Sequence, residues 1–321
     1  MKKLYHLVAV VGVVTLGIGL AACSSSSSTG SSSNHAAATG STASHVACPK
    51  GTLTFGVEPY DNASALIPAY QAMSTALGKA LGCKINLQIA ESYVAEILAM
   101  KNGKLDMGEF GPAGFVFASQ QANAVPLASY AQSDGQLSTY TAGIWVKKGS
   151  PIKTVKELAG HTLALSSVGS TSGDWEPRYE LIKEGVAGKV HTSYAGGHPE
   201  SLLALTHGKV DASEINSQEE ASAEAAHQFN PSDYTQIWKS APIPNDPICA
   251  SPSLSAAAQT AIKNALMNIP NSVFTSAKTS IATELAFTPP TSGHELIPVT
   301  MADYAQLFSL AKALHLSSKS L

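Results

Sequence analysis

Two segments of the chain, Glu96–Glu109 and Ser201–Glu214, have related sequences. Identical residues recur in them at one constant offset, in the pairs Leu98/Leu203, Ala99/Ala204, Gly103/Gly208, Lys104/Lys209, Asp106/Asp211 and Glu109/Glu214. Chance similarity between two unrelated helices would rarely keep a single offset over such a length. We therefore predict an internal duplication, in which each copy forms an apolar-faced helix, a glycine C-cap and the start of a strand.

The same offset aligns Tyr93 with His198. Each copy therefore carries a hydrogen-bonding side chain at the start of its helix. Two similar lobes that face one another would direct both side chains into a shared cleft. A lone histidine is more often structural or exposed, and Tyr93 alone would be an interfacial aromatic, so it is the match between the copies that favours a ligand-binding role.

The chain begins with the features of an export signal. Two lysines precede an apolar run from Leu7 to Leu20, which is too short to cross a bilayer as a stable helix because that requires about 20 apolar residues. The segment that ends at Cys23 resembles the bacterial lipoprotein box, which implies removal of residues 1–22 and lipidation of Cys23. Ordinary secretory cleavage near Ala22 is the alternative.

Residues 23–47 consist mostly of small and polar side chains, with a long serine tract. This composition offers little apolar surface to bury, so we predict a flexible tether. The remainder, from Cys48 to Leu321, is long enough for two domains of ordinary size. We find no later segment in the sequence that is long and apolar enough to span a membrane.

Charge and composition limit the partners. The formal net charge is −3, the chain has a single arginine, Arg178, and its lysines are scattered. We therefore expect no nucleic-acid partner. An anionic ligand cannot be held by several guanidinium groups, so neutral donors at helix N-termini are expected instead. No clear metal-ligand spacing appears, and we expect neither a metal nor a cofactor.

Hydrophobic periodicity predicts a first series of alternating elements after residue 51. Strands are predicted at 52–57, 84–90, 105–110 and 125–130, with helices at 65–81, 94–102 and 113–122. This alternation is typical of a parallel α/β lobe.

A second series begins with a β-rich segment at 139–147. Strands follow at 162–166, 190–194 and 211–215, and amphipathic helices at 254–268, 272–283 and 301–314 return to the first lobe. We predict a two-lobed α/β fold with a hinge of two crossings, in which residues 48–139 and 250–321 form lobe 1 and residues 140–249 form lobe 2.

An exported chain with four cysteines predicts a disulfide. Lipidation of Cys23 leaves Cys48, Cys83 and Cys249. Cys48 and Cys83 each precede a predicted strand, and if those strands are parallel neighbours their sulfur atoms start at the same edge. We therefore predict a Cys48–Cys83 disulfide, with Cys249 as a buried strand thiol that has no chemical role.

The run Gly169–Gly173 contains three consecutive hydroxyls, Ser170, Thr171 and Ser172, between a predicted strand and a predicted helix. An oxyanion at this turn would receive the hydroxyls, the free backbone N–H groups and the favourable end of the helix dipole. Plain N-capping is the alternative, because Ser and Thr are preferred caps. Three hydroxyls exceed what capping needs.

Three carboxylates and one further aromatic are additional candidates. Asp246 lies at the second crossing, where a turn aspartate before proline is the alternative. Glu109 and Glu214, one in each copy, lie near strand C-termini, where open α/β sheets place their ligands. A solvated or lysine-paired carboxylate is the alternative for both. Tyr140 falls on a strand at the hinge.

These residues together resemble the substrate-binding proteins of phosphonate, phosphite and phosphate ABC importers, a branch of the type II periplasmic binding proteins. The likeness covers nearly all of residues 51–300. It is carried by Glu91-Ser-Tyr93, Gly103-Lys-Leu-Asp106, Ser170-Thr-Ser-Gly173, Gly196-Gly-His198, Gly208-Lys-Val-Asp211 and the segment from Trp238 to Pro247. The resemblance implies two lobes with mostly parallel sheets, a ligand in the interlobe cleft and a membrane permease as partner. We expect the receptor to be monomeric.

In that family the oxyanion head is held by residues that match Tyr93, Tyr140, Ser170, Thr171, Ser172 and His198. Members that take 2-aminoethylphosphonate also present two carboxylates to its ammonium group. One matches Asp246, and the other falls by spacing at Gln218, which is uncharged. Loss of one partner from a buried charge pair costs about 2–5 kcal/mol. We therefore expect phosphite, methylphosphonate or phosphate to be favoured, unless Glu109 or Glu214 replaces the missing charge.

Two other classes of function compete with a receptor. A hydrolase would assemble Ser172, His198 and Asp246 as a triad, but a nucleophile elbow needs serine where this chain has Thr171. A surface adhesion or signalling lipoprotein would bind no small molecule. We expect a non-catalytic receptor for a small phosphorus oxyanion, in the periplasm or anchored by lipid at Cys23 to the outer face of the cell membrane.

Overall fold

The computed structural model describes residue 48 and residues 51–275, 280–291 and 293–316. The predicted export signal, the lipidation of Cys23 and the tether at 23–47 lie outside the described residues. Within those ranges, no helix combines the length and the apolar character needed to cross a membrane.

The strands in chain order are β1 Thr52–Val57, β2 Lys84–Ile89, β3 Met107–Glu109, β4 Val125–Tyr130, β5 Thr139–Tyr140, β6 Gly143–Lys147, β7 Thr162–Leu165, β8 His191–Tyr194, β9 Ala212–Glu214, β10 Tyr234–Lys239, β11 Ile243–Pro244, β12 Ile248–Ala250 and β13 Leu296–Pro298. The α-helices are α1 Ala63–Leu81, α2 Tyr93–Lys101, α3 Pro112–Gln121, α4 Glu176–Lys183, α5 His198–Thr206, α6 Ser217–Ala225, α7 Ala256–Met267, α8 Ser272–Thr275, α9 Ile281–Glu284 and α10 Ala305–Ala313.

The predicted duplication appears in both the elements and the topology. Helices α2 and α5 begin at Tyr93 and His198, and the strands that follow them, β3 and β9, keep the same offset. Gly103 and Gly208 end the two helices with φ of 68° and 67°, a left-handed conformation that glycine adopts without strain. The helix, glycine cap and strand predicted for each copy are therefore confirmed.

Two large sheets form the two lobes. The first has the strand order β13-β4-β12-β3-β1-β2, and the second has the order β10-β6-β9-β7-β8. In each sheet a central strand, β1 or β7, pairs in parallel with two neighbours. In each, the next strand outward, β12 or β6, is antiparallel. The segment β12-β3-β1-β2 thus has the same arrangement as β6-β9-β7-β8.

The sheets are mixed rather than mostly parallel, which corrects one part of the prediction. Strand β12 is antiparallel to both β3 and β4. It separates these strands because the chain returns from the second sheet and inserts between them. The edge strand β13, which the sequence analysis missed, pairs antiparallel with β4. It is three residues long and ends at Pro298, so it carries little periodic signal.

The two crossings between the lobes lie side by side. Strands β5 and β11 form a separate antiparallel pair, in which Tyr140 faces Ile243 and Thr139 faces Pro244. Next to this pair, Asn245 donates from its backbone N–H to the carbonyl of Ser138 over 2.9 Å. Its side chain also donates to the Ser138 hydroxyl over 3.0 Å. The predicted hinge of two crossings is therefore present, whereas the exact lobe boundaries remain a prediction.

Alternation along β1 explains one face of the first-lobe core. Leu53, Phe55 and Val57 are buried and pack in one cluster with helix α1. The opposite face of the sheet, with Cys249 of β12, packs against α2, α3 and α10. Trp175, just before α4, also belongs to this second cluster, with its ring 5.3 Å from that of Phe117. This contact joins the lobe that contains β7 to the lobe that contains β3.

The helix predicted at 272–283 is two short helices, α8 and α9, in the described residues. A 3₁₀ turn at Met301–Tyr304 precedes helix α10. The turn and the helix together cover the helix predicted at 301–314. Ser280 caps α9 by accepting a hydrogen bond from the backbone of Thr283. This cap gives α9 its own start.

Cys48 and Cys83 form a disulfide with a Cα–Cα distance of 6.2 Å, as predicted. The register of β1 on β2 places Thr52 opposite Lys84, so both sulfur atoms lie at the same sheet edge. Cys249 is a free buried cysteine in β12.

Replacing both bridged cysteines by serine should lower the free energy of unfolding by roughly 3–4 kcal/mol, the loop-closure value for a bridge of this span. Urea unfolding of the double variant Cys48→Ser/Cys83→Ser measures this loss. Reducing agent should destabilise the wild type by a similar amount and leave the double variant unchanged. Equal stability of the wild type with and without reductant would contradict the prediction.

Candidate functional site

A cavity of about 470 Å³, counting its opening to solvent, lies between the two lobes. Its lining comprises Glu58, Tyr60, Asp61, Tyr93, Tyr140, Ser170, Thr171, Ser172, His198, Asn216, Gln218, Glu219, Ser222, Asp246, Glu284 and Leu285. Five of these are carboxylates, and none of the described lysines or the arginine is among them.

All of the favoured candidates from the sequence line this cavity. They are Tyr93, Tyr140, Ser170, Thr171, Ser172, His198 and Asp246, and Gln218 lines it as well. Each of the seven is at least nine-tenths buried. The residues come from the two copies of the repeat, the hydroxyl turn and both crossings, so the cavity depends on the arrangement of the lobes and not on any one segment.

The hydroxyl turn both caps a helix and presents oriented donors. Ser170 caps a π-helical turn, Thr171–Trp175, that leads into α4, and its Oγ accepts from the backbone N–H of Gly173 over 3.1 Å. Thr171 Oγ1 accepts from the N–H of Ala113 over 2.9 Å. Because an N–H group occupies a lone pair of the Thr171 oxygen, its hydroxyl hydrogen remains available for another acceptor. Ser170 Oγ, in contrast, also shares a hydrogen bond with Nε2 of His198.

Ser172 is oriented in the same way by Asn216, whose Nδ2 donates to the serine Oγ over 3.1 Å. The Oδ1 of Asn216 accepts from the backbone N–H groups of Gln218 and Glu219, at 2.9 and 2.8 Å. These two bonds cap helix α6 and fix the amide so that its nitrogen faces the serine. Asn216 thus links the start of α6 to the hydroxyl turn.

Gly173 is required by close packing behind the turn. A Cβ at this position would lie 1.6 Å from Ser166 Oγ and 3.0 Å from His198 Cε1. Any side chain would therefore displace Ser166, which directly follows β7, and would crowd the histidine.

His198 is held between the two halves of the second lobe. Its Nδ1 lies 3.0 Å from Glu214 Oε2, and its Nε2 lies 3.2 Å from Ser170 Oγ. Burial lowers the pKa of His198, but the charge and hydrogen bond of Glu214, with smaller contributions from Glu219 and Asp61, raise it, and the net pKa lies above the usual value. A carboxylate at Nδ1 fixes that nitrogen as a donor and directs Nε2 to the hydroxyl turn.

The two phenols remain protonated at physiological pH. Burial is the main cause that raises the pKa of Tyr93 and of Tyr140 well above 10. Nearby carboxylates, Glu58 and Asp246, add to both shifts. Both hydroxyls are therefore available as neutral hydrogen-bond donors.

Asp246 and Glu58 place two buried carboxyl groups in the cavity wall. They are 5% and 3% exposed, respectively. Glu58 accepts a hydrogen bond from the N–H of Gly111, at the N-terminus of α3, whereas no described residue donates to the Asp246 carboxyl group. Burial, followed by the charge of Asp246, raises the pKa of Glu58, and burial, followed by the charge of Glu109, raises the pKa of Asp246.

The remaining carboxylates of the cavity form its partly exposed rim. They are Asp61, Glu219 and Glu284. Burial, with a contribution from neighbouring acids, raises the pKa of Glu219 and of Glu284 to about 7. A fraction of the rim is therefore neutral at physiological pH.

Glu109 and Glu214, the alternative carboxylates from the sequence, are not in the cavity lining. Glu109 lies behind it and accepts hydrogen bonds from Tyr70 and, over 2.6 Å, from Tyr130. Glu214 supports His198 from the side away from the cavity. Both lie at strand C-termini, as expected, but each is fully buried with other partners.

Sequence reasoning missed Glu58 and Asn216. Glu58 immediately follows β1, and Asn216 lies shortly after β9. The rule that ligands bind near strand C-termini, which selected Glu109 and Glu214, therefore also applies to them. Glu58 lies outside the repeated segment, and Asn216 lies just past its end. Within the described part of the chain, no group of three or more metal-ligating side chains is placed to hold a metal ion.

Replacing Glu214 by Gln should lower the pKa of His198 below its usual value of about 6.5, since burial, the largest cause, would be opposed only by the smaller effects of Glu219 and Asp61. In the wild type the histidine pKa should exceed 6.5. The stability that the pair contributes is then complete below about pH 6.5 and is lost as the pH rises through the folded-state pKa. Histidine NMR titration measures both values, with His198→Gln for assignment; a wild-type pKa at or below 6.5 would contradict the assignment.

Replacing Glu58 by Gln should stabilise the ligand-free protein at pH 8, and by less at pH 5. The raised pKa means that the folded state loses stability as the pH rises above about 4.5, and glutamine removes that loss while still accepting from Gly111. Chemical denaturation at both pH values measures the difference. The exposed Glu157→Gln is the matched control and should give no gain, because its carboxylate accepts backbone hydrogen bonds that lower its pKa.

A family model for the periplasmic substrate-binding protein of phosphonate ABC transporters matches residues 55–304. The chain is 27% identical over 215 residues to the phosphate-import protein PhnD of Mycolicibacterium smegmatis, with 63% of this chain and 67% of the relative covered. It is 27% identical over 222 residues to the phosphonates-binding periplasmic protein of Escherichia coli K12, with 67% of this chain and 65% of the relative covered. The alignments thus span about two thirds of each relative's length.

The fold is also similar to that of PhnD1 from Prochlorococcus marinus, solved in complex with methylphosphonate. The TM-score is 0.68 at 19% identity, and the match covers 83% of this chain and 98% of that chain. This likeness shows the two-lobed periplasmic binding protein fold. Because the family model covers most of the sequence, the chain belongs to the phosphonate periplasmic substrate-binding proteins of ABC transporters.

Proposed function

We propose that this protein is the extracytoplasmic receptor of an ABC importer and that it binds a small phosphorus oxyanion in the interlobe cavity. Phosphite, methylphosphonate and phosphate are the favoured ligands. The observation that carries the proposal is the convergence of Tyr93, His198 and the hydroxyl turn in one buried cavity. The two relatives and the solved structure, which are named for phosphate, phosphonates and methylphosphonate, support the same ligand class.

The oxyanion would be held by neutral donors. The hydroxyl hydrogens of Thr171 and Ser172 are available because each oxygen already accepts from an N–H group. Ser170, whose oxygen also bonds to Nε2 of His198, would bind the ligand together with that histidine. The phenols of Tyr93 and Tyr140 add two protonated donors. In a site that lobe closure shields from water, each of these bonds is stronger than in solution.

The two buried carboxyl groups favour a ligand that carries a proton. Asp246 has no donor among the described residues, and a hydroxyl on the phosphorus head can supply one. Phosphate and phosphite both have protonated forms near neutral pH. A head group that cannot carry a proton would be repelled by the carboxylates of Asp246 and Glu58, with no hydrogen bond to offset the repulsion.

A second candidate is 2-aminoethylphosphonate. The sequence argument against it depended on the missing charge at Gln218. Glu58, Asp61 and Glu284 line the cavity as well, and any of them would attract an ammonium group. This alternative uses Asp246 together with those carboxylates in place of Glu109 or Glu214.

We further propose that the receptor is monomeric and that it is anchored by lipid at Cys23. Residues 48–139 and 250–321 would form lobe 1, and residues 140–249 would form lobe 2.

We also propose that the receptor is non-catalytic. Ser172 accepts a hydrogen bond from Asn216, and among the described residues His198 bonds to Ser170 and not to Ser172. This arrangement does not favour Ser172 as a nucleophile with His198 as its base. Incubation with activated esters and phosphoesters tests this. Turnover that Ser172→Ala abolishes would overturn the receptor interpretation.

Thr171→Ala should weaken binding of methylphosphonate and phosphite roughly 10- to 100-fold, because one hydrogen bond to a charged oxygen is lost. Calorimetric titration of the chain from residue 48 with phosphite, methylphosphonate, phosphate and 2-aminoethylphosphonate measures the affinities and ranks the ligands. The control is Thr260→Ala, on the exposed face of α7, which should bind as the wild type does. If the aminoalkyl compound binds much the tightest, the second candidate replaces the first.

A further inference from the structure

Gln218 makes a connection between the lobes that the ligand-binding interpretation does not explain. Its Nε2 donates to the backbone carbonyl of Leu285 over 3.0 Å and to Asn245 Oδ1 over 3.1 Å. Gln218 lies in the first turn of α6, in the second lobe. Leu285 ends α9 and packs in the first-lobe core, and Asn245 lies in the second crossing.

Both of these bonds require a side-chain N–H donor at position 218. A glutamine NH₂ has two hydrogens, and here two acceptor oxygens take them. The Asn245 amide is itself oriented, because its Nδ2 donates to Ser138 Oγ and leaves Oδ1 for Gln218. A glutamate at position 218 would place a negative oxygen against a carbonyl oxygen and an amide oxygen.

Gln218 is also connected to the hydroxyl turn. Its backbone N–H donates to Asn216 Oδ1, and the Nδ2 of the same Asn216 donates to Ser172. A single chain of hydrogen bonds therefore runs from Ser172 through Asn216 and Gln218 to Leu285 in the opposite lobe. Gln218 lines the cavity and is partly buried, as is the rim residue Glu219.

We propose that Gln218 is a positioning residue that holds the lobes closed over the cavity and does not contact the tail of the ligand. When the lobes separate, the bond to Leu285 breaks and water replaces it, so the bond favours the closed state alone. The inference deepens the proposed function, because a bond of this kind slows the release of any ligand that the cavity encloses. Its effect should be the same for every ligand, whereas a contact with the tail would discriminate among ligands.

The test compares Gln218→Met, which keeps the length but removes both donors, with Gln218→Glu and with Gln259→Met. Gln259 is the matched control, since its Nε2 donates to the Leu254 carbonyl within the first lobe. Dissociation rates are measured by stopped flow for phosphite, methylphosphonate and 2-aminoethylphosphonate. The radius of gyration of each ligand-free protein is measured by small-angle X-ray scattering.

Gln218→Met should release each bound ligand roughly 2- to 10-fold faster, by a similar factor for all, because the hydrogen bond to Leu285 that only the closed state makes is lost. Its ligand-free radius of gyration should exceed that of the wild type, and Gln259→Met should match the wild type in both measurements. Gln218→Glu should weaken all ligands, including the aminoalkyl compound. A selective gain for 2-aminoethylphosphonate in Gln218→Glu, or release that changes for only one ligand in Gln218→Met, would overturn the proposal.

The two proposals fail in different ways. If the wild type binds none of the phosphorus oxyanions, the proposed function is wrong, and the scattering comparison alone then decides the role of Gln218. In that comparison, equal radii for the wild type and Gln218→Met would refute the closing role. If the wild type binds but Gln218→Met behaves like Gln259→Met, the proposed function stands and this inference is wrong.

Discussion

An anion removed from water must have its hydration replaced, and the cavity of this protein has no described lysine or arginine to do it. The replacement has to come from oriented neutral dipoles, and such dipoles are effective only when they are held before the ligand arrives. This constraint explains the supporting bonds behind the cavity. Ala113, Asn216 and Gly173 each donate an N–H group that fixes a hydroxyl oxygen. The hydroxyl hydrogens of Thr171 and Ser172 are thereby left for the ligand, while Ser170 is also bonded to His198.

The duplication supplies such dipoles from two directions. Because β12-β3-β1-β2 and β6-β9-β7-β8 have the same arrangement, the N-termini of α2 and α5 occupy equivalent places in the two lobes. The side chains that begin these helices, Tyr93 and His198, therefore meet in one cavity. The two copies differ in the contacts that their glutamates make behind the cavity. Glu214 orients the histidine, whereas its counterpart Glu109 is held by two tyrosines in the core of the other lobe.

The acidic groups around the cavity impose a second condition. Buried carboxyl groups at Glu58 and Asp246 are costly as charges, and burial raises the pKa of both. Such groups are compatible with an anion when protons lie between the oxygens, whether on the ligand or on the protein. They are equally compatible with a cationic tail. The hydrogen bonds of Gln218 bear on this choice, since they engage both amide hydrogens at the position where a carboxylate was expected from the family resemblance.

The sequence by itself determined the duplication, the order of most helices and strands, the disulfide and the seven favoured residues that line the cavity. The helices and strands, the disulfide, Tyr93, His198 and the hydroxyl turn follow from local periodicity, from capping residues or from a constant offset along the chain. Tyr140 and Asp246 were identified as ligand-binding candidates through the family resemblance. Tertiary structure decided the rest. The insertion of β12 between β3 and β4, the core position of Glu109 and the presence of Glu58 in the cavity all depend on contacts between residues that are distant in the chain. A strand C-terminus shows in the sequence, but whether its carboxylate meets a cavity, a histidine or a pair of tyrosines is set by what packs against it.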